Sequence, residues 1–432
     1  MSFVRLRGKI VVALAAAVAV ALAWLLVPRR AQREELVEAA WAEERAADMR
    51  STHVAVPLPG TFGELLEPHL AALHESYAAY KRSGPAAMNR VRRICNGQDP
   101  VAQLGPEISV DLVQHRAAMH GALTATHARS ARAPASLRLF AALRPDDPFA
   151  DVQHAVRLAA LDVLTLVGQG RASEAAYECA DMLALGRDLS YPSILGRMIG
   201  VAVTGASSYA CGRAASVAPA GALEGVRAQL IAIRAGTPRF AHLLQRERLF
   251  QQLFLADPDP RLPEGARTLI ADAHAQSRTL FDGLGRALLR ANARDRLAAR
   301  IAAFLDAQRL DWPACAERME EVTQRFEWNP MVRDSFVPLL RRHRDGLLKI
   351  DALVCAASLS LARARTGVLP RDAASACPPI EPEAKCGEQG ASQRISEDGG
   401  LGVSVTLSDG SNYTVPLAPT QRGSATVLVE PR

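Results

Sequence analysis

Residues 10–27 form an apolar run that restricts the chain more than any other feature does. The run has eighteen residues without a charge, and the indole of Trp24 is its only side chain that can form a hydrogen bond. A helix of that length measures ~27 Å, close to the ~30 Å hydrocarbon core of a bilayer. Because a single segment can satisfy its backbone polar groups in lipid only as a helix, the run predicts a transmembrane helix.

The residues around the run favour a retained signal-anchor over a cleaved secretion signal. Arg5, Arg7 and Lys9 resemble the positive start of a signal peptide, and a small-x-small site lies at residues 21–23. Cleavage there would cut inside the apolar run, and its eighteen residues exceed the roughly 7–15 of a signal core. We therefore expect the anchor at residues 10–27 to be retained, with cleavage as the alternative.

The orientation of the anchor follows from its two flanks. Each flank carries three basic residues, but the leading tail at residues 1–9 is short and basic, and such a tail resists translocation. The flank after the run turns acidic between residues 34 and 48. The sequence thus predicts a cytoplasmic tail, a single pass through the inner membrane, a stalk or linker at residues 28–60 and a periplasmic body.

The composition predicts a mainly α fold. Hydrophobic residues make up 49% of the chain and aromatic residues only 5%, and alanine, the best helix former, supplies much of the apolar fraction. Asp147 and Pro148 form a helix start signal, whereas Gly367 and Pro370 form a stop signal. We expect a multi-helix body at residues 61–370, either a bundle or an irregular α-solenoid. The net charge of +6 comes from interleaved charges of both signs, which argues against a nucleic-acid partner.

The last part of the chain, residues 371–432, has a different character. Residues 402–407 and 412–417 alternate apolar and polar side chains around a turn, which predicts a small β-hairpin appendage, and residues 425–429 add a candidate third strand. Cys377 and Cys386 flank a proline-rich stretch nearby. Outside the cytoplasm these two cysteines are expected to form a disulfide. A metal pair is the alternative, although no CxxC motif or nearby histidine supports it.

The remaining cysteines and the histidines give no pattern that predicts chemistry. Cys179, Cys211 and Cys355 lie in apolar helical contexts and are interpreted as buried small hydrophobic residues. The sequence does not assign a role to Cys95 or Cys315. The chain has no HExxH, GxSxG, P-loop or strand-linked GxGxxG motif. His115 and His120 fall on different faces of a helix, and His120 and His127 are two turns apart. We therefore assign no catalytic, cofactor-binding or metal-binding residue.

Two stretches carry a resemblance. The first stretch is Leu185-Gly186-Arg187-Asp188-Leu189 together with residues 195–200. The second is Asn329-Pro330 together with the long helix that ends in Gly367-Val368-Leu369-Pro370. Both resemble segments of single-anchor, helix-rich envelope proteins of bacteria. The resemblance implies a helical body whose last helix leaves through Gly-x-x-Pro into a short β segment. It implies no activity, so no functional residue is carried over.

These observations predict a membrane-tethered, non-catalytic envelope protein that binds the bilayer through residues 10–27 and a protein partner through its helical body. An envelope-acting hydrolase is one alternative, and it would require a pocket lined by convergent polar groups. An accessory of a secretion or pilus system is another alternative. The end of the chain also resembles pseudopilins, but the apolar run lacks the glutamate of a pilin-type leader.

Overall fold

The computed structural model describes residues 52–133, 148–191, 194–255, 298–310, 314–325, 336–368, 393–396 and 402–417, together with residues 35, 38, 42, 370 and 377. The chain divides into two compact units, Met1–Glu44 with Arg248–Arg294, and Arg45–Glu247 with Asp295–Arg432. The anchor predicted at residues 10–27 and the strand predicted at 425–429 lie outside the described residues. Of the helices that the structure describes, none combines the length and the apolarity that crossing a bilayer requires.

Helices dominate the described part of the chain, as the composition predicted. They are α1 (Phe62–Arg82), α2 (Gly84–Cys95), α3 (Pro106–Thr124), α4 (Pro148–Gly168), α5 (Ala172–Leu189), α6 (Ile194–Val217), α7 (Ala220–Ala235), α8 (Phe240–Leu255), α9 (Ala314–Arg325) and α10 (Phe336–Thr366). Residues 298–307 are also helical.

Local signals explain where several of these helices begin and end. Helix α1 starts with a capping box in which the Thr61 side chain accepts from the Glu64 backbone and the Glu64 side chain accepts from the Thr61 backbone. Helix α4 starts at Pro148, where the missing amide hydrogen bond costs nothing. Gly367, at φ 78°, terminates α10 in the left-handed conformation that glycine adopts freely.

The helical core depends on one close approach between α5 and α6. A Cβ atom on Gly186 would lie only 2.9 Å from the carbonyl oxygen of Gly200, and a Cβ atom on Gly200 would overlap the carbonyl oxygen of Gly186. Larger residues at either position would push the two helices apart. Glycine therefore sets the distance between the two helices that form the middle of the core.

Two small sheets accompany the helices. A parallel pair joins β1 (Leu58–Thr61) and β2 (Ala128–Ser130), which the sequence did not predict. A three-stranded antiparallel sheet has the order β3-β4-β5, formed by Gln393–Ser396, Gly402–Thr406 and Asn412–Pro416. Strands β4 and β5 confirm the predicted hairpin, and β3 was missed.

The antiparallel sheet is fastened to α10 by its hairpin turn. The backbone nitrogen and the Oγ of Ser408 donate to Asp345 Oδ1 at 2.8 and 2.7 Å. Val403 and Val415 face each other in register and are fully buried. The hairpin is thus part of the same hydrophobic core as the helices.

The disulfides differ from the prediction. Cys377 bonds to Cys355 on α10, with a Cα–Cα distance of 4.6 Å, so the predicted Cys377–Cys386 bridge is wrong. Cys179 and Cys211, predicted to be unlinked, join α5 to α6 with a Cα–Cα distance of 5.3 Å. Sequence proximity favoured a local ring at 377–386, but the observed partner of Cys377 is 22 residues away in sequence, on α10.

Candidate functional site

Helices α1, α3, α4 and α5 carry histidines and carboxylates that contact one another, and we refer to these residues together as the polar seam. Its members are Ser76, Asp111, His115, His120, His154, Asp162, Glu178 and Asp181, with His53 and His127 from the segments beside β1 and β2. The seam divides into three groups, and two of them bring together three potential metal ligands.

The first group contains His120, Asp162 and Glu178, from α3, α4 and α5, whose ligand atoms all lie within 4.8 Å of one another. His120 Nε2 lies 3.3 Å from Asp162 Oδ2. Arg116, one turn before His120, places its Nε 3.1 Å from Asp162 Oδ2 and 3.3 Å from His120 Nε2. The hydrogen bond with Asp162 raises the pKa of His120.

Glu178 is the exceptional member of this group. It is only 6% exposed, and its Oε1 has no hydrogen-bond partner among the described residues. Burial, and after it the neighbouring charge of Asp162, raises the pKa of Glu178 to about 8. A buried carboxyl without a partner is costly to ionise, so the position favours either a proton or a bound cation.

The second group contains His53, His127 and Asp181. Asp181 Oδ1 lies 2.7 Å from His127 Nε2 and 3.1 Å from His53 Nε2. Burial alone would raise the pKa of Asp181, but the hydrogen bonds with His127 and His53 outweigh it and lower that pKa. On the far side of His53, Nδ1 lies 3.5 Å from Nη2 of the buried Arg187.

The arginine fixes the proton on the His53 ring. Arg187 can only donate hydrogen bonds, so His53 Nδ1 is the accepting nitrogen and Nε2 carries the hydrogen that Asp181 accepts. Burial lowers the pKa of His53, which keeps the ring in this neutral form. The second group is therefore internally satisfied without a ligand.

The third group is buried and contains Ser76, Asp111, His154 and His115, whose Nδ1 lies 2.8 Å from Asp111 Oδ1. Ser76 Oγ donates to Asp111 Oδ2 at 2.9 Å, and His154 Nε2 lies 3.0 Å from the same Oγ. In a serine triad the histidine uses one nitrogen for the serine and the other for the acid. Here Nε2 faces both Ser76 and Asp111, so the geometry is that of a buried polar network. Burial lowers the pKa of His154.

The sequence pattern thus included some residues of the polar seam but did not predict that they form a cluster. The sequence assigns no role to His115, His120 or His127, because the first two fall on different faces of a helix and the last two are two turns apart. The structure gives His120 and His127 carboxylate neighbours from other helices, Asp162 and Asp181, and gives His115 a neighbour on its own helix, Asp111. The signal that could have found the seam is Asp162, a lone acid in the otherwise apolar middle of α4.

A separate feature lies on the solvent side of α3, and we call it the α3 stripe. Its members are Pro106, Val110, Val113 and Ala117, all exposed and spaced 4, 3 and 4 residues apart. Val110 is 63% and Val113 77% exposed. Among the large apolar side chains that stand exposed in the described residues, only these two lie one turn apart on one helix.

Comparison with protein-family models, curated proteins and solved structures finds no match to this chain. The geometry of the polar seam and of the α3 stripe must therefore carry the functional argument alone.

Proposed function

We propose that the protein is a membrane-tethered, extracytoplasmic helical protein that acts by binding a partner protein and catalyses no reaction. The apolar run at residues 10–27 supplies the tether. The α3 stripe is the observation that carries the binding role.

The extracytoplasmic location is supported by the disulfides. Cys179 and Cys211 are 3% and 4% exposed and join two core helices, and a second bond joins Cys355 to Cys377. Disulfides persist in oxidising compartments and are rare in the cytosol. In a cytosolic body these four buried cysteines would remain thiols.

The binding role is supported by the spacing of the stripe. In a coiled coil, apolar residues spaced 4, 3 and 4 apart form the face through which one helix packs against another. Single exposed apolar residues are ordinary on a protein surface, but here they align on one helix whose opposite face, with Ile108, Leu112 and Met119, is already buried in the core. Helix α3 thus has two apolar faces, and the core covers one.

The size of the stripe indicates its occupant. From Pro106 to Ala117 the helix rises ~17 Å, and a helix is ~10 Å wide, so the stripe offers about 170 Å². A stable dimer buries about 800 Å² on each partner, so two copies joined by this face alone would fall well short. The area matches the footprint of a single helix, so we assign the stripe to one amphipathic helical segment of a different protein, bound through its apolar face.

The test places a photoreactive residue at Gln114, which is exposed beside Val113, in the full-length protein in its native membrane. The expected result is one discrete adduct whose mass differs from twice the 46.3 kDa of this chain. Val110→Lys with Val113→Lys should abolish the adduct, because lysine prevents burial of the stripe.

The matched control is Ile231→Lys on α7, which changes an exposed apolar residue on another helix and should leave the adduct unchanged. An adduct made only of this chain would assign the stripe to a second copy and refute the proposed partner. Absence of any adduct, or an adduct that survives both stripe substitutions, would refute the binding role of α3.

The tether has its own test. Full-length protein should stay with the membrane pellet in alkaline carbonate, and Ala17→Arg at the middle of the run should weaken insertion by about 2.5–3.5 kcal/mol. Release of the unaltered protein by carbonate would refute the tether without affecting the role of the stripe.

A further inference from the structure

We propose that His120, Asp162 and Glu178 bind a divalent metal ion of the zinc class, through Nε2 of the histidine and one oxygen of each carboxylate. This inference is independent of the tether and of the α3 stripe. It concerns the first group of the polar seam only.

The positions of the three ligand atoms suit one ion. All lie within 4.8 Å of one another, and ligands at tetrahedral zinc are ~3.4 Å apart for the bond lengths that nitrogen and oxygen donors adopt. Small side-chain rotations close the difference. The ligands come from the middles of α4 and α5 and the last turns of α3, so the backbone that holds them is rigid.

Glu178 supplies the independent sign of a ligand. Its side chain is more than nine-tenths buried and directed at His120 and Asp162, yet Oε1 has no hydrogen-bond partner among the described residues. Buried polar atoms are nearly always paired. A cation between Glu178 and Asp162 would pair this oxygen.

Arg116 marks the place of the cation. Its Nε lies between His120 Nε2 and Asp162 Oδ2, at 3.3 and 3.1 Å, and so contacts two of the three proposed ligands. One positive charge faces two carboxylates there. The side chains of Arg116 and His120 are 41% and 43% exposed, so the guanidinium can swing into solvent and open a path for the ion.

The donor set selects the metal. One imidazole nitrogen and two carboxylate oxygens are donor types that zinc accepts at sites with three protein ligands. Magnesium and calcium prefer oxygen donors alone. We therefore expect zinc to bind in preference to magnesium.

The second group, His53, His127 and Asp181, is a poorer candidate despite its similar ligand spacing. A metal at His53 Nε2 would force the hydrogen onto Nδ1, where it would oppose the donating Nη2 of Arg187. The second nitrogen of a metal-bound histidine normally donates to an acceptor. The site is therefore placed at Glu178.

The test is calorimetric titration of Zn²⁺ into full-length, chelator-treated protein in detergent. Wild type should bind one ion per chain, and His120→Ala and Glu178→Gln should each weaken binding at least about tenfold, since even second-shell substitutions cost 10–100-fold. Arg116→Gln should bind more tightly because the competing cation is gone. Mg²⁺ at the same concentration should not displace the zinc.

The matched control is His74→Ala, which removes an exposed histidine that is also paired with a carboxylate, that of Asp151, and should leave the affinity unchanged. If Glu178→Gln does not fold, His120→Ala decides alone, because that side chain is half exposed. Absence of zinc binding by wild type would overturn the proposal. So would loss of binding in His127→Ala with none in His120→Ala. Unchanged affinity in Arg116→Gln would refute the displacement of the arginine.

Discussion

The Cys179–Cys211 disulfide gives the sharpest quantitative prediction about the fold. The bond closes a loop with a sequence separation of 32 residues between α5 and α6. Constraining a loop of that length in the unfolded chain stabilises the native state by about 3.7 kcal/mol in the chain-entropy model. Cys179→Ala with Cys211→Ala should therefore lower the free energy of unfolding by that amount, plus the loss of two buried sulfur atoms.

The chain offers a control for the sulfur atoms. Cys95 is a free cysteine that is 4% exposed, which matches the burial of the two bonded cysteines. Cys95→Ala should lower the free energy of unfolding by about 1 kcal/mol, the effect of removing one small buried apolar group. The double variant should thus lose about 5–6 kcal/mol in all.

The assay is urea unfolding of the full-length protein in detergent, followed by the circular dichroism of its helices. A double variant that loses no more than twice the loss of Cys95→Ala would show that the bond does not stabilise the native protein. A companion measurement in intact cells treats the protein with a thiol reagent. Labelling of Cys179 and Cys211 in denatured, unreduced wild type would place the body in a reducing compartment and refute the extracytoplasmic location.

Three further predictions test the fold, all by urea unfolding of the full-length protein. Gly200→Ala should lower the free energy of unfolding by about 3 kcal/mol because its Cβ overlaps the carbonyl oxygen of Gly186. Gly205→Ala on the same helix, with no contact closer than 3.8 Å, should raise it by about 0.5–1 kcal/mol. Similar losses in both variants would refute the close approach. Thr61→Ala should lose about 1 kcal/mol with the capping box of α1, and an unchanged midpoint would contradict that role. Burial lowers the pKa of His154 below its ordinary 6.5. As the pH falls below 6.5, the unfolded chain therefore binds a proton at this histidine that the folded protein does not bind, and stability that is present above pH 6.5 is lost. His154→Gln should flatten this loss, and an equally steep loss in the variant would assign it to other groups.

The helix boundaries could be predicted because their signals are local. Pro148 begins a helix for a reason contained in its own ring, and Gly367 ends one for a reason contained in its own φ angle. Alternation of side chains likewise predicted β4 and β5 from neighbouring residues alone. Strand β3 was missed because its pairing with β4 is the only feature that makes it a strand.

The disulfides and the polar seam could not be predicted because their partners are distant in sequence. Cys355 lies in an apolar helical context that is typical of an unlinked buried cysteine, and only the packing of the chain after α10 brings Cys377 to it. Glu178 and Asp162 are sixteen residues apart and belong to different helices. Periodicity assigns each of them to a face of its own helix, but it does not show which other helix covers that face.

The metal site and the α3 stripe lie along the same face of one helix, because His120 follows Val113 by seven residues, about two helical turns. This predicts that their occupants are coupled. Arg116 lies one turn after Val113, and side chains three apart on a helix are neighbours at ~5–6 Å. If zinc displaces the Arg116 guanidinium from Asp162, a positive charge moves to solvent at the edge of the stripe. In wild type, photo-crosslinking from Gln114 should then give a different adduct yield with Zn²⁺ than with chelator. In Arg116→Gln the yields with Zn²⁺ and with chelator should be the same, because coupling between two sites requires an element that both ligands move. Equal yields in wild type would show that the metal site and the α3 stripe act independently, even if each binds its own ligand.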